Sequence, residues 1–398
     1  MDATRKNTSV FLDRDFSHKE RKDRKAGGPT SVSATIDRSG WKRVRLGDVL
    51  QVCHGKCQHA IESKTGKYPI LATSGEIGRT DSYLYDGPSV LIGRKGTIDK
   101  PQYIDSPFWT IDTLFYTKIA EDYNPKFLYY LCLTIDWASM NEASGVPSLS
   151  ANRIESLEVT IPDVDEQDKI ANAITSIDTN ISALQALITK YEANKKATVN
   201  LLLEPNKGWK WVRLGEIGSL MSGYPFASSS YIINGRYKVI TIANVQDGKL
   251  VLTSDTNTID ELPSNLRPYQ LLNEGDIIIS MTGNVGRVCC VDKKDCLLNQ
   301  RVGLFVIHRR DVINPGFLTL CLQAPRFQNT MISAGKGGAQ PNIGNSDILN
   351  FEIYYPQVDE QKRIVAILDS IDGTINGLKS QLAKAQDIKQ GMMSYFFG

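Results

Sequence analysis

Cysteine and histidine side chains, which zinc prefers as ligands, crowd one short segment in the first quarter of the chain. Residues 53–59 read CHGKCQH, so Cys53, His54, Cys57 and His59 are four potential ligands in close succession. A closed tetrahedral zinc site usually draws on ligand pairs that are well separated in sequence. Because these four residues are not divided into separated pairs, we expect no metal ion here.

Other patterns that could support catalysis are incomplete. Residues 124–127 (NPKF) lack the second proline of the Asn/Asp-Pro-Pro-aromatic motif of amino-methyltransferases, and no Gly-x-x-x-x-Gly-Lys-Ser/Thr loop for nucleotide phosphates occurs. Residues 335–338 (GKGG) precede a Pro-Asn turn instead of opening a helix, which favours a DNA backbone over a nucleotide. None of the four histidines has an evident nucleophile partner. We therefore expect no catalytic residue and no cofactor.

The composition is that of an ordinary soluble protein. Hydrophobic residues make up 41% and charged residues 23% of the 398 residues, which suits two domains or a tandem repeat. No apolar run reaches the roughly 18 residues of a membrane span, and the N-terminus lacks the apolar core of a secretory signal. Seven cysteines without an export signal favour reduced thiols, so we expect a cytoplasmic protein. Cys289, Cys290 and Cys296 should fill a strand core as small apolar groups.

Internal repetition decides how the chain is organised. Residues 41–49 (WKRVRLGDV) return as residues 209–217 (WKWVRLGEI), and residues 161–167 (IPDVDEQ) return as residues 355–361 (YPQVDEQ). Repeats of this kind predict a globular unit, a long helix, a second globular unit and a second long helix. Weaker matches between these markers pair residues 124–128 with 314–318 and residues 145–149 with 339–343.

The segments that follow the second marker carry the heptad pattern of a coiled coil. In both, apolar residues recur at alternating steps of four and three, and a lysine, Lys195 or Lys389, occupies the same step. About forty residues at roughly 1.5 Å each make a rod of about 60 Å, whose apolar stripe needs a partner. We expect the two rods to pack antiparallel; packing of each rod on its own globular unit is the alternative. The residues assigned to partner binding are Ile170, Ile174, Ile177, Ile181, Leu184, Ile364, Leu368, Ile371, Ile375 and Leu378.

Each globular unit has the pattern of a mixed, strand-rich domain. Short strands are predicted at 90–93, 237–242 and 277–280, and short helices at 127–132 and 317–322. The predicted fold class is α+β, with two pseudo-repeated strand-rich domains separated by two long antiparallel coiled-coil helices. The expected divisions are a disordered charged extension at 1–40, which could instead be a basic arm on DNA, domains at 41–161 and 205–355, and long helices at 162–204 and 356–398.

These motifs, in this order and twice over, resemble the specificity subunits of type I restriction-modification systems. The resemblance covers residues 41–398 and rests on the Trp-x-x-Val-Arg-Leu-Gly openings, the Pro-x-Val-Asp-Glu-Gln entries to the helices, and residues 299–302 (NQRV). It implies a non-catalytic subunit whose two target-recognition domains each read half of an asymmetric bipartite site in double-stranded DNA. It also implies that the helices set the spacer, that two methyltransferase subunits dock on them, and that motor-nuclease restriction subunits join. The family does not require the charged extension.

Recognition of a DNA sequence requires donors and acceptors on loops or helix ends, with cations for the phosphates. Arg94 with Lys95, and Asn284 with Arg287, lie in glycine-flanked loops after predicted strands and are the favoured readers. Arg301 could equally form an ion pair with a buried carboxylate. For every candidate, the alternative to DNA binding is that the side chain is an ordinary hydrated group on the protein surface. The DNA-binding candidates are Lys56, Lys64, Lys67, Arg79, Arg94, Lys95, Tyr224, Arg236, Lys238, Asn244, Asn284, Arg287, Arg301 and Lys336.

Two other functions stay open on the sequence alone. The net charge of only +2 does not by itself favour a nucleic-acid partner. A free-standing regulator would bind DNA through the same two domains without recruiting a methyltransferase. A coiled-coil scaffold would bind proteins through its globular units and would not bind DNA at low salt.

Overall fold

The computed structural model describes residues 38–246, 248–335 and 341–398. It divides into two compact units, one containing the described part of residues 1–168 together with 394–398, the other containing that of 169–393. Most of the expected extension at 1–40, and Lys336, lie outside the described residues. The division of the chain into five segments stays a prediction.

The first unit is built from short strands and short helices. They are, in chain order, β1 (Lys42–Arg45), α1 (Leu46–Val49), β2 (Leu50–Cys53), β3 (Tyr68–Ala72), β4 (Gly75–Thr80), β5 (Ser89–Gly93), β6 (Gln102–Ile104), β7 (Trp109–Thr110), β8 (Leu114–Ile119), α2 (Pro125–Thr134), α3 (Ala151–Glu155) and β9 (Glu158–Ile161). The main sheet has the order β2-β8-β5-β6, and a second sheet has the order β4-β3-β7 with β3 and β7 parallel.

Local sequence explains where several of these elements begin. Every side chain of β5 is buried, as expected for a continuous apolar run in the middle of a sheet. Asn124 starts α2 because its side chain accepts the N–H of Phe127 at 2.9 Å, and Pro125 suits the first turn. The antiparallel ladder of β1 and β9, with Lys42 opposite Ile161, joins the two strong sequence markers of the first repeat.

The second unit contains a comparable set of elements between two long helices. They are α4 (Val164–Leu202), β10 (Lys210–Arg213), α5 (Leu214–Ile217), β11 (Gly218–Ser222), β12 (Tyr237–Ile240), β13 (Val245–Gln246), β14 (Lys249–Leu250), β15 (Thr258–Ile259), β16 (Leu271–Leu272), β17 (Ile277–Ser280), β18 (Val288–Cys290), β19 (Cys296–Leu298), β20 (Val302–Ile307), α6 (Pro315–Gln323), α7 (Pro325–Ala334), α8 (Asn345–Leu349), β21 (Glu352–Tyr355) and α9 (Val358–Phe397). The first residues of α4 belong to the first unit, as do the last residues of α9.

The topology of the second unit repeats that of the first. The ladder of β10 and β21 corresponds to that of β1 and β9, and the sheet β11-β20-β17-β18 corresponds to β2-β8-β5-β6. The other sheet, β15-β12-β19-β16, again contains one parallel pair, β12 with β19. Asn314 caps α6 through the N–H of Phe317 at 3.1 Å, as Asn124 caps α2. The repeat seen in the sequence is therefore a repeat of the fold.

The strands and short helices predicted from the sequence are present. β5 and β17 cover the predicted strands at 90–93 and 277–280, and α2 and α6 contain the predicted short helices. The predicted strand at 237–242 ends at Ile240, because Thr241 enters a turn in which its N–H donates to the side chain of Asn244 at 2.9 Å. A side-chain cap of this kind competes with the strand ladder for the backbone.

The two long helices pack against each other in antiparallel orientation, which confirms the predicted rod pair. Within the second unit, Lys195 pairs with Asp372 at 2.6 Å and Lys389 pairs with Asp178 at 2.6 Å, so rising numbers in α4 meet falling numbers in α9. The predicted apolar stripe is buried or half-buried along both helices. At about 1.5 Å per residue each helix is about 60 Å long. Among the residues that the structure describes, no helix combines the length and the apolar character of a membrane span.

Candidate nucleic-acid interface

The loop after β5 is held in place by the weaker sequence marker at residues 145–149. The N–H of Gly96 donates to the carbonyl of Pro147 at 2.9 Å, and the N–H of Leu149 donates to the carbonyl of Arg94 at 2.9 Å. Gly96 has φ of +90°, a left-handed conformation that glycine adopts at little cost. The loop is thus fixed by backbone contacts, which leaves its side chains available for other uses.

The loop after β17 is held in the same way by the corresponding marker. The N–H of Gly283 donates to the carbonyl of Pro341 at 2.9 Å, and the N–H of Ile343 donates to the carbonyl of Met281 at 3.0 Å. Gly283 is left-handed as well, with φ of +70°. We name residues 94–96 with 147–149 loop frame 1, and residues 281–283 with 341–343 loop frame 2.

The two loop frames carry different side chains at equivalent positions. In loop frame 1, Lys95 is exposed, and Arg94 is half-buried with its Nη1 donating to the carbonyl of Asp112 at 3.0 Å. Loop frame 2 has Met281 and Thr282 at those two positions. One backbone arrangement therefore carries two cations in the first unit, and in the second a hydroxyl and a thioether that packs against the core.

Further polar side chains gather around loop frame 2. The hydroxyl of Thr282 bonds the side chain of Asn342 at 3.2 Å. The carbonyl of Arg301 accepts the N–H of Met281 at 3.0 Å, so the exposed Arg301 is adjacent to the loop, and Asn284 continues the loop as an exposed residue. Sequence reasoning selected Arg301 and Asn284 but missed Thr282 and Asn342. The signal that could have found them is the glycine after each strand together with the repeated proline segment.

The remaining cationic DNA-binding candidates of the first unit lie in and beside the sheet β4-β3-β7. Arg79 forms an ion pair with Glu76 at 3.0 Å and donates to the carbonyl of Lys67 at 3.4 Å. The ammonium of Lys67 lies over the ring of Tyr68, 5.2 Å from its centre. Both groups are exposed, and so are the two candidates on the loop between β2 and β3, Lys56 and Lys64.

The side chains of two polar candidates of the second unit form hydrogen bonds within the domain. The buried side chain of Asn244 accepts the N–H of Thr241 at 2.9 Å and donates to the carbonyl of Val251 at 3.0 Å. The hydroxyl of Tyr224 donates to the side chain of Asn265 at 2.8 Å. The amide of Asn244 thus holds the turn after β12, while Tyr224 keeps a half-buried ring.

Two cations lie at β12, the exposed Arg236 just before the strand and the half-buried Lys238 within it. The guanidinium of Arg236 lies over the ring of Tyr237, 4.9 Å from its centre, and 4.0 Å from a carboxylate oxygen of Asp295. The ammonium of Lys238 donates to the carbonyl of Arg236 at 2.7 Å. This side of β12 is therefore polar, and the charge of Arg236 is partly neutralised by the carboxylate of Asp295.

Arg287 lies next to the long helix α4. It lines a cleft of about 520 Å³ together with Glu192, Lys195 and Lys196 of α4. Its backbone N–H donates to the hydroxyl of Ser280 at 3.0 Å. Arg287 is therefore half-buried beside the long helix, whereas Asn284 is exposed.

Several cysteine and histidine side chains pack against neighbouring groups. The ring of His54 meets Phe115 edge-on at 5.0 Å. Burial raises the pKa of Cys289 to about 12 and that of Cys296 to about 11, which keeps both thiols protonated in the core of the second unit. In the described part of the chain, no three potential ligands come together in a way that could hold a metal ion.

Comparison with known proteins assigns the family. The family model described as the type I restriction modification DNA specificity domain matches residues 38–192 and again residues 206–385. The chain belongs to this family. Each of the two matched regions contains one loop frame and most of one long helix. The role of type I specificity subunits is recognition of a DNA sequence within a restriction-modification complex, and they are non-catalytic components of it.

Individual relatives cover most of the chain. The type I restriction enzyme MjaVIII specificity subunit of Methanocaldococcus jannaschii is 25% identical over 404 residues, spanning 89% of this chain and 91% of that protein. The EcoAI specificity subunit of Escherichia coli is 32% identical over 180 residues, 44% of this chain and 30% of that protein. The crystal structure of a type I S subunit from M. genitalium matches with a TM-score of 0.64 at 15% identity, covering 93% of this chain and 98% of that one.

The predicted specificity-subunit fold and family are thus confirmed. The likeness to the M. genitalium structure is a likeness of fold. The DNA-binding and partner-binding residues chosen from the sequence stay predictions, and the geometry above is the basis on which we assign them roles.

Proposed function

We propose that this chain recognises an asymmetric bipartite site in double-stranded DNA, one half-site through each loop frame. The observation that carries the proposal is the pair of matching frames on two copies of one domain type. A protein with two similar recognition domains offers one similar surface to each half-site. Because the side chains on the frames differ, the two half-sites should differ in sequence.

Base reading is assigned to the polar side chains on and beside the loop frames. An arginine or lysine matches the two acceptors on the major-groove edge of guanine, and an asparagine matches the donor and acceptor of adenine. The backbone contacts of the frames would keep such side chains in a fixed orientation, which base readout requires. The residues assigned to base reading are Arg94, Lys95, Asn284, Arg301 and Asn342.

Phosphate contacts are assigned to the exposed cations away from the frames. Such contacts position a protein on DNA without reading its sequence. Asn244 supports a turn because its amide is used within the domain, and Arg287 belongs to the cleft beside α4. The residues assigned to phosphate contact are Lys56, Lys64, Lys67, Arg79, Arg236 and Lys238, with Tyr224 beside them and Lys336 retained from the sequence alone.

The two long helices are proposed to set the length of the unread spacer and to carry the partner subunits. A rigid helix pair of about 60 Å makes the spacing of the half-sites a property of protein length. The repeated outer faces of α4 and α9 offer two similar surfaces, which suits two methyltransferase subunits; restriction subunits would join the assembled complex. We propose a cytoplasmic location, which suits a protein that acts on DNA.

The test is selection of binding sites from random double-stranded DNA by the full chain co-purified with its methyltransferase subunits. Under the proposal the selected DNA contains two short, different motifs separated by a constant number of unread base pairs. A single continuous motif, or two motifs at variable separation, would contradict it.

A further inference from the structure

The apolar stripe of each long helix is interrupted by one lysine. Lys195 of α4 and Lys389 of α9 occupy the same step of the heptad series in the two repeats. A charged residue at such a step lowers the stability of a coiled coil, but it can specify the register and the orientation of the helices. Each lysine is therefore a candidate for the residue that fixes the register of the two helices.

Each of these lysines forms an ion pair with the other helix. Lys195 Nζ lies 2.6 Å from Asp372, and Lys389 Nζ lies 2.6 Å from Asp178. The lysine side chains are only 34% and 29% exposed, so water and salt screen these pairs less than pairs on an open surface. Attraction across the stripe therefore adds to the apolar contacts.

The two ion pairs are the same interaction made twice. Asp178 and Lys195 are spaced along α4 as Asp372 and Lys389 are spaced along α9. In an antiparallel pair of matched helices, this spacing lets each lysine reach the aspartate of the opposite helix. The arrangement is reciprocal, and it holds the helix pair at two points of its length.

Displacement by one heptad breaks this arrangement in either direction. In one direction Lys195 meets Lys379, a like charge. In the other it meets Val365, and Glu192, whose carboxylate lies 2.6 Å from Lys379 in the observed register, meets Asp372. The apolar residues recur every heptad, so they would still find apolar partners after such a slip. Within the paired segments of the two helices, the charged residues distinguish the observed register from its neighbours.

We propose that Lys195 and Lys389, through Asp372 and Asp178, fix the register of the two long helices and so determine which DNA spacer length is accepted. The role in spacer choice rests on the function proposed above. One heptad corresponds to about 10 Å along a helix. At 3.4 Å per base pair, this is about three base pairs of DNA.

The test replaces both lysines by methionine, in K195M/K389M, within the full chain and its methyltransferase complex. Methionine keeps the length and apolar character of the lysine stem, so the stripe stays filled. The matched control is Lys362→Met, because Lys362 pairs with Asp359 of its own helix at 3.5 Å and is 62% exposed. A second pair of variants, K195D and K195D/D372K, first removes and then restores opposite charges at one site.

Two readouts are needed. Carbodiimide cross-linking of Glu192 to Lys379, located by mass spectrometry, reports the helix register without DNA. Binding to a series of DNA duplexes that differ only in spacer length reports the accepted separation. In K195M/K389M the cross-link yield and the preference over spacers three base pairs longer or shorter should each fall about ten-fold. Lys362→Met should match the wild type, K195D should lower both readouts, and K195D/D372K should recover them.

The outcomes separate this inference from the proposed function. If K195M/K389M keeps the cross-link yield and the spacer profile of the wild type, the ion pairs do not fix the register. If K195D/D372K stays as impaired as K195D, the charges are not the cause. If the cross-link yield falls but the wild-type complex accepts all spacers equally, the register role stands and the proposed ruler function is wrong.

Discussion

Loop frame 1 and loop frame 2 share one backbone arrangement but carry different chemistry. Both place a left-handed glycine after a buried strand, and both bond that glycine to a proline carbonyl at 2.9 Å. Frame 1 carries Arg94 and Lys95, whereas frame 2 carries Thr282 with Asn342 beside it, and its Met281 packs against the core. The repeat thus keeps the residues that shape the backbone and varies the residues that the backbone displays.

The comparison extends to the way each long helix contributes to a domain core. In the first unit the ring of Phe127 packs on Phe397, from the end of α9, at 5.4 Å. In the second unit the ring of Phe317 packs on Trp209 at 6.0 Å, in a cluster that includes Leu202 from the end of α4. Each domain is completed by the end of the helix that comes from the other repeat.

The largest expected effect is on this shared core. Phe317→Ala removes a fully buried ring and should lower the free energy of unfolding of the second unit by about 3–5 kcal/mol. Hydrogen exchange of the amides in β10 and β21 should accelerate, while β1 and β9 stay protected. The matched variant Phe127→Ala should accelerate exchange in β1 and β9 and leave β10 and β21 protected. Equal loss of protection in both ladders would show that the two domains do not unfold separately.

The next effect exchanges chemistry between the frames. Arg94→Met gives loop frame 1 the residue of loop frame 2, and loss of a base reader should cost about 1–3 kcal/mol of discrimination at one position. The discrimination is measured by competition binding with DNA duplexes that carry each of the four bases at each position of the site. The second half-site should be unchanged. If the base preference relaxes in both half-sites, or in neither of them, frame 1 does not read a single half-site.

A smaller effect is expected from the reverse exchange. Asn342→Ser introduces the residue of frame 1, Ser148, and removes the bond to Thr282, with a net loss of about 0.5–1.5 kcal/mol. The loss should appear at one position of the second half-site in the same competition assay. The carbonyl of the neighbouring Pro341 still holds Gly283, so an altered first half-site would be inconsistent with the frames acting separately.

The smallest effect is expected from a cation away from the frames, and it should not depend on the DNA sequence. Lys64→Met should weaken binding to all sequences alike and reduce the slope of log affinity against log salt by about one. Titration of a specific and a scrambled duplex at several salt concentrations measures both. A change confined to the specific duplex would make Lys64 a base reader.

Sequence reasoning found the repeat, the long helices and most strands because these features depend on local patterns. The heptad series predicted which side chains of α4 and α9 are buried, and the short helices predicted at 127–132 and 317–322 lie within α2 and α6. The lysines within the stripe were visible as well. Their aspartate partners were not, because pairing across helices depends on a register that one helix alone does not define.

The loop frames could not be predicted from the sequence because each frame joins two segments that are far apart in the chain. Pro147 and Pro341 were recognised as aligned, but nothing local indicates that they bond Gly96 and Gly283. Asn244 has the residue type of a base reader, yet its amide is consumed by a turn. A polar residue in a loop pattern does not reveal whether it caps its own backbone or faces outward.

The measurement that tests the central claim most directly is insertion of one heptad into both long helices, after residues 186 and 380. These points lie opposite each other between the two reciprocal ion pairs, so both pairs can form in the lengthened protein. Site selection with the lengthened protein should return the same two half-sites with a spacer about three base pairs longer. The same half-sites at the original spacing would show that the helices do not set the separation.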